Sequence, residues 1–226
     1  MENFIYEPIY IDNNYIVLNK NHMVYVIPDR NNTVTPLIDI LRNDYGSNVL
    51  VCHRLDAGTS GIMVFARNKK SHQYLSQLFE KNLVIKHYAA VTTSHIYNQT
   101  LMLPIAKSNH GKYNINFKSG KKAVTSFFLV DSNKFGALVT ARLYTGRTHQ
   151  IRVHLKALKS PLYYDFLYNK KIDDKRLSLQ CISLGFYDKF SGKNLYFSSK
   201  LSFFMENTIK RLELSYKNVY QYVYDS

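Results

Sequence analysis

Strand-like segments follow one another along this chain with few helices between them, and that order limits the folds open to it. Pro8–Ile11 and Tyr15–Asn19 read as two strands joined by an Asp-Asn-Asn turn. Tyr88–Thr93, Val124–Val130 and Phe135–Tyr144 are strand-like, and Leu179–Phe186 with Leu195–Phe197 makes a late hairpin around Ser191-Gly192. Thr35-Pro36 starts a helix whose apolar stripe is Leu37, Ile40 and Leu41 and whose stop is Gly46. Asn68 caps a second helix carrying Tyr74, Leu75, Leu78 and Phe79, and a short third follows Gly146, with Ile151, Leu155 and Leu158 facing inward. Helices this few and this short do not cover both faces of a doubly wound sheet. The expected class is α+β, a mixed, mostly antiparallel sheet flanked by helices and loops. No repeat, low-complexity tract or Pro/Gly/Ser linker interrupts the chain, so one domain is expected over residues 1–226. Lys107–Lys122 is the longest irregular stretch, polar and basic, either a solvated excursion or a loop that contacts a partner.

Charge narrows the partner. The net charge is +14, and residues 51–226 hold all of the basic excess, 27 Lys/Arg against ten Asp/Glu. A surface of that kind suits nucleic acid, and 19 Tyr and 13 Phe offer ring faces that can stack on exposed bases. Cys52 and Cys181 fit neither a disulfide framework nor a metal-binding spacing, which points to a reducing compartment. The start Met1-Glu2-Asn3-Phe4-Ile5 has no basic then apolar pattern, and no apolar run approaches the ~18 residues of a membrane span. A soluble cytoplasmic protein, away from any membrane, is expected.

The run His53-Arg54-Leu55-Asp56-Ala57-Gly58-Thr59-Ser60-Gly61 carries the chemistry. It sets one carboxylate between a guanidinium and a turn rich in hydroxyls and glycine. Asp56 is a candidate nucleophile or base, held ionised by Arg54 or by another nearby cation. Thr59, Ser60 and Gly61 suit a tight turn that can grip a carboxylate or a phosphate. Ile62–Ala66 then reads as a buried strand that pins the loop. A protein-kinase catalytic loop is excluded, because there Asp follows Arg directly and an Asn lies five residues on. No phosphate-binding Gly-rich loop occurs, and His149 and His154 lie five apart rather than the four of a helical metal-binding pair. No metal or other cofactor is expected.

This run resembles the active-site loop of the RluA-type RNA pseudouridine synthases. Gly146-Arg147-Thr148-His149-Gln150-Ile151-Arg152-Val153-His154-Leu155 resembles the family's second long motif. Lys86-His87-Tyr88-Ala89-Ala90 is similar to its Lys-x-Tyr-x-Ala strand, and Ile16-Val17-Leu18-Asn19-Lys20 to its strand ending in Asn-Lys. Gly120-Lys121-Lys122-Ala123-Val124-Thr125 resembles a Gly-Lys-x-Ala-x-Thr stretch found within the family. The likeness runs over about residues 5 to 200. The chain departs from it where Asn21-His22-Met23 replaces Pro-Ala-Gly or Pro-Ser-Gly, Gln180-Cys181 replaces His-Ala, Lys159-Ser160-Pro161 lacks a Gly, and Tyr164-Asp165 replaces Gly-Asp. Because the catalytic pattern begins near residue 8, no preceding S4 RNA-binding domain is expected.

The resemblance implies isomerisation of uridine to its C-glycoside within rRNA or tRNA, by a monomer without a cofactor. It makes Asp56 the nucleophile and Arg147 its ion-pair partner. Tyr88 packs against the target base and is the candidate for removing the C5 proton, and Arg54 fills the space that the flipped nucleotide leaves. Leu179 or Leu184 walls the base pocket, Lys20, Lys121, Lys122 and Arg152 contact phosphates, and Thr59 and His149 also meet the substrate. The alternative is an RNA-binding or ribosome-assembly factor that kept the fold and lost the chemistry. Such a protein would be expected to lack the Asp, Arg or Tyr, and all three are present.

Overall fold

A computed structural model describes residues 4–29, 33–108, 111–169 and 174–224. The chain opens with β1 (Tyr6–Ile11) and β2 (Tyr15–Lys20), an antiparallel pair closed by Asp12, whose Oδ1 accepts from the Asn14 and Tyr15 amides at 2.7 Å. Next comes α1 (Leu37–Tyr45), ended by Gly46 at φ +100°, whose amide donates to the Arg42 carbonyl. β3 (Leu50–Val51) and β4 (Ser60–Ala66) flank the loop that carries Asp56. Asn68 caps α2 (Lys69–Glu80) as expected, accepting from the Ser71 amide at 2.9 Å. β5 (Ile85–Thr92), β6 (Gln99–Leu101), β7 (Ile105–Lys107) and β8 (Tyr113–Ile115) lead to the hairpin of β9 (Thr125–Asn133) and β10 (Gly136–Leu143). After α3 (Gln150–Ala157) come the hairpin of β11 (Leu179–Asp188) and β12 (Lys193–Ser198), α4 (Phe203–Arg211) and α5 (Gln221–Tyr224).

Ten strands form one sheet in the order β1-β2-β4-β11-β5-β10-β9-β6, with β12 beside β11 and β3 beside β4. Among the described residues its one parallel pair is β4 with β11, at its centre. The class is α+β with a mixed, mostly antiparallel sheet, as the strand pattern predicts. Alternation along β5 sorts its side chains. Tyr88 and Ala90 face the larger core, which takes in Leu37 and Leu41 of α1, Leu75 and Leu78 of α2, and Ile151 and Leu155 of α3. Ala89 and Val91 face a smaller core closed by Met205 and Ile209 of α4. The sheet is thus covered on both faces.

The stretch Lys107–Lys122 is not an irregular loop throughout. Tyr113–Ile115 pairs with Ile105–Lys107 as a separate two-stranded sheet, seated on a small cluster of Ile105, Ala123, Val153 and Tyr168. The Tyr168 hydroxyl accepts from the Tyr113 amide at 2.9 Å and donates to the Tyr113 carbonyl at 3.2 Å. The basic residues Lys118, Lys121 and Lys122 remain exposed.

Candidate active site

The loop holding Asp56 is shaped by close packing. Gly61 has φ +113°, and an added Cβ would collide with the Cys181 backbone where β4 and β11 run side by side. A Cβ at Gly58 would meet the Lys175 carbonyl and Leu177. The buried Thr59 closes the turn, its amide donating to the Asp56 carbonyl at 3.0 Å, so the turn's grip falls on main chain and not on the carboxylate.

Lys20 is not the phosphate contact that its charge suggests. It is fully buried, and its Nζ donates to the carbonyls of Asn21 (2.9 Å), Val24 (3.0 Å) and Ala57 (3.2 Å). It ties the 21–24 turn to the residue that follows Asp56. Burial lowers its pKa to about 7, against an opposing pull from Asp56.

The cation paired with Asp56 is Arg152, not Arg147. Arg152 Nη1 donates to Asp56 Oδ2 at 2.9 Å, while its Nε and Nη2 hold both oxygens of Asp165 at 2.8 Å. Asp165 is fully buried and also accepts from the Leu167 and Tyr168 amides. Burial works against the charge of Arg152, and the two carboxylates more than offset it, so its pKa rises. At 2% exposed, Arg152 is no surface phosphate contact either. The reason lies in where α3 begins. Gln150 opens it with its side chain turned back to staple the loop, Oε1 accepting from the Arg147 amide (3.0 Å) and the Thr145 hydroxyl (2.8 Å). Gln150 Nε2 donates to the Thr125 hydroxyl at 2.9 Å, and His154 Nδ1 lies 3.0 Å from that same hydroxyl. Arg152, between these two anchors, is aimed at Asp56. Arg147 stays at the rim, where its Nε donates to the Lys122 carbonyl at 3.0 Å.

His149 precedes the helix at φ +56°, and its Nε2 lies 3.6 Å from Asp56 Oδ2. Its Nδ1 lies 3.0 Å from the Tyr168 hydroxyl. Burial lowers its pKa ahead of the opposing pull of Asp56, leaving a neutral ring at pH 7.

Asp56 opens onto a pocket of about 520 Å³, a size ordinary for small-molecule sites, lined by Tyr88, Leu179, His53, Phe79, Lys86 and Arg152 among others. Tyr88 is buried and stands opposite Cys181 across the β5–β11 pair. Burial pushes its phenol well above the ordinary value, with Cys181 and Asp56 adding to the shift, so it is protonated at neutral pH. Arg54 is exposed and lines both this pocket and a second cavity of about 420 Å³, lined also by Tyr25 and Phe166, on the other side of Asp56. Among the described residues no group of His, Cys, Asp and Glu is placed to hold a metal ion, and no helix is long and apolar enough to cross a membrane. Sequence reasoning missed Asp165, Gln150, His154 and Tyr168. The place of Gln150 and His154 inside the Gly146–Leu155 run marked those two, and the Asp kept where Tyr164-Asp165 replaces Gly-Asp marked Asp165.

Residues 14–157 match the family model described as RNA pseudouridylate synthase. The chain belongs to that family. It is similar to the ribosomal large subunit pseudouridine synthase D of Zymomonas mobilis, 27% identical over 94% of this chain and 74% of the relative. It is 31% identical to the uncharacterized RNA pseudouridine synthase YjbO of Bacillus subtilis over 92% of this chain and 79% of that one. With the uncharacterized RNA pseudouridine synthase MG209 of Mycoplasma genitalium it shares 33% identity over 75% of its own length, spanning 57% of that relative. The solved structure of human RNA pseudouridylate synthase domain containing 4 superposes with a TM-score of 0.76 at 24% identity, covering 92% of this chain and 94% of that one, and shows the shared fold.

Proposed function

We propose that this pseudouridine synthase isomerises uridines in structured RNA, with Asp56 as the nucleophile. One observation supports this above the others. The Asp56 carboxylate stands at a pocket walled by Tyr88 and Leu179 and is oriented by Arg152, which is itself locked from behind by a buried carboxylate. The reaction breaks the N1–C1′ bond, turns the base and forms a C5–C1′ bond, while C5 gives up a proton and N1 gains one. No atom is added or lost. A carboxylate held by one prong of a fixed guanidinium is aimed, as a nucleophile must be. Leu179 and the Tyr88 ring can hold the flipped base between them. A phenol kept protonated by burial is a poor base, so Tyr88 serves better as that wall than as the acceptor of the C5 proton. Arg54, exposed at the rim between two cavities, is placed to enter the RNA stack.

The substrate we infer is a compact stem-loop of rRNA or tRNA with an unpaired target uridine, which is cheap to extrude. Exposed Lys118, Lys121 and Lys122 give a basic face for its phosphates. The test is pseudouridine formation under single-turnover conditions on hairpins from tRNA anticodon arms and 23S rRNA loops, beside full-length transcripts. Wild type is expected to modify a hairpin, and Asp56→Asn to bind it with unchanged affinity and leave it unmodified. Residual activity within about tenfold of wild type, ~1.4 kcal/mol of barrier, would remove Asp56 from the nucleophile's role. An RNA-binding factor without chemistry would leave every RNA unmodified by wild type itself.

A further inference from the structure

Lys86 precedes Tyr88 by two residues on β5, so the pleat sets both side chains on one face of the sheet. Both line the pocket that Asp56 opens onto. Lys86 is only 6% exposed. A buried ammonium is ordinarily paired or surrounded by acceptors, because removing it from water is costly. Lys20 shows that ordinary arrangement, with three carbonyls around its Nζ. Lys86 has neither a carboxylate nor a hydrogen-bond acceptor among the described residues.

What surrounds it does not neutralise it. Its Nζ lies 5.7 Å from the centre of the Phe79 ring, and a Cβ placed on Gly146 would sit 3.9 Å from Nζ. The thiol of Cys181 is near enough to interact, but burial pushes that thiol up to about 12, so it carries no charge. His53 is also near. Burial and then the charge of Lys86 lower its pKa to about 3, so its ring is neutral, and its one acceptor nitrogen already takes the Val64 amide at 3.0 Å. An uncompensated cation in a pocket is matched by something that the pocket binds.

We propose that Lys86 binds a carbonyl oxygen of the flipped uracil and stabilises the negative charge that builds on the ring as the glycosidic bond breaks. The proposal rests on reading the pocket as a uridine isomerase site. When the N1–C1′ bond breaks with its electron pair on N1, that charge spreads to O2 and O4 of the ring. A fixed cation in a poorly hydrated site stabilises such charge more than water does, without reorganising as it forms. Depth favours the base over a phosphate. The phosphates of a flipped nucleotide stay at the rim, near Arg54, Arg147 and Lys122, whereas Lys86 lies behind Gly146 and against Phe79.

Lys86→Met tests this, because Met keeps the length and the contact with Phe79 and removes only the charge. The rate at saturating hairpin is expected to fall at least thirtyfold, while Kd and its salt dependence hold and the thermal midpoint stays level or rises. Hairpins carrying 2-thiouridine or 4-thiouridine at the target add a second reading. The sulfur at the bound position should slow wild type and add little to Lys86→Met. A weaker Kd and a salt slope smaller by about one, with the rate intact, would make Lys86 a phosphate contact and overturn the proposal. A lowered midpoint would make it a structural cation, and an unchanged rate would leave it no part in the reaction. Asp56→Asn runs alongside: if it stays inert while Lys86→Met is normal, only the Lys86 proposal fails, and if it is active the isomerase reading fails first.

Discussion

Replacing Arg152 with Lys keeps the charge and removes the geometry, which makes it the sharpest probe of the site. Arg152 makes three charge-assisted hydrogen bonds, one to Asp56 at 2.9 Å and two to Asp165 at 2.8 Å. The planar fork lets one group hold two carboxylates that face different edges of it, whereas an ammonium is a point donor on a shorter reach. The substituted ammonium would satisfy one carboxylate at a time, and the fully buried Asp165 has the stronger claim on it. At least two of the three bonds are then lost. With buried charge-assisted bonds worth roughly 1.5–3 kcal/mol each, the expected loss of stability is about 3–5 kcal/mol. Asp56, without its fixed partner, loses its direction, and the single-turnover rate should fall about a hundredfold, ~2.7 kcal/mol of barrier. Urea unfolding measures the first quantity. Pseudouridine formation at saturating hairpin, well below the unfolding transition, measures the second. If Arg152→Lys loses under about 1 kcal/mol and keeps its rate within threefold, the bridge between the two carboxylates does not govern this site.

Arg147→Gln should do the opposite, weakening RNA binding and cutting the slope of log Kd against log salt by about one while the saturated rate holds; a collapsed rate would return Arg147 to the chemistry. Gly61→Ala should destabilise by about 2–4 kcal/mol, since it combines a strained φ of +113° with a Cβ driven into the Cys181 backbone; thermal unfolding within a degree of wild type would contradict the close approach of β4 and β11. Acid should destabilise the protein below about pH 6.5. Burial lowers the folded pKa of both His22 and His87 to about 4, so each is neutral when folded and protonated when unfolded between those values. Stability from these two groups is full well above pH 6.5 and falls with pH by about 2.4 kcal/mol per unit near pH 5. A flat profile of urea midpoints from pH 7 to 5 would show that neither ring is held neutral.

The strands and the first three helices were legible because each carried a local signal. Alternation marked the strands, and Asn68 and Gly46 marked helix ends by their own backbone chemistry. α4 carries similar signs that sequence reasoning missed: Ser202 as a cap and Met205, Ile209 and Leu212 at helical spacing. The short strands β6, β7 and β8 had no such signal. Three residues show too little periodicity, and what fixes β8 is the Tyr168 hydroxyl, 55 positions away, bonding both main-chain groups of Tyr113.

The same distinction separates the parts of the site that the sequence reveals from those it conceals. Asp56 was legible as a candidate because the whole His53–Gly61 run, and not its Gly- and Thr-rich turn alone, resembles a family motif. The choice between Arg147 and Arg152 was not, because both lie in one run and each reads as a plausible partner or phosphate contact. Deciding between them requires knowing that His149 takes the left-handed conformation and that Gln150 folds back onto Thr145 and Arg147. That fold-back consumes the loop in holding itself and leaves the helix to supply the cation. Lys20 misleads for a related reason. A lysine at the end of a strand is exposed by default, and only a ring of three carbonyls drawn from residues 21, 24 and 57 makes its burial tolerable. In each case the deciding partner lies far off along the chain or in a backbone conformation that composition does not specify. Buried cations in this protein therefore sort by what surrounds them. Arg152 is matched by two carboxylates and Lys20 by carbonyls, and both hold the Asp56 loop in place. Lys86, matched by neither, is the one of the three whose charge is left for a substrate.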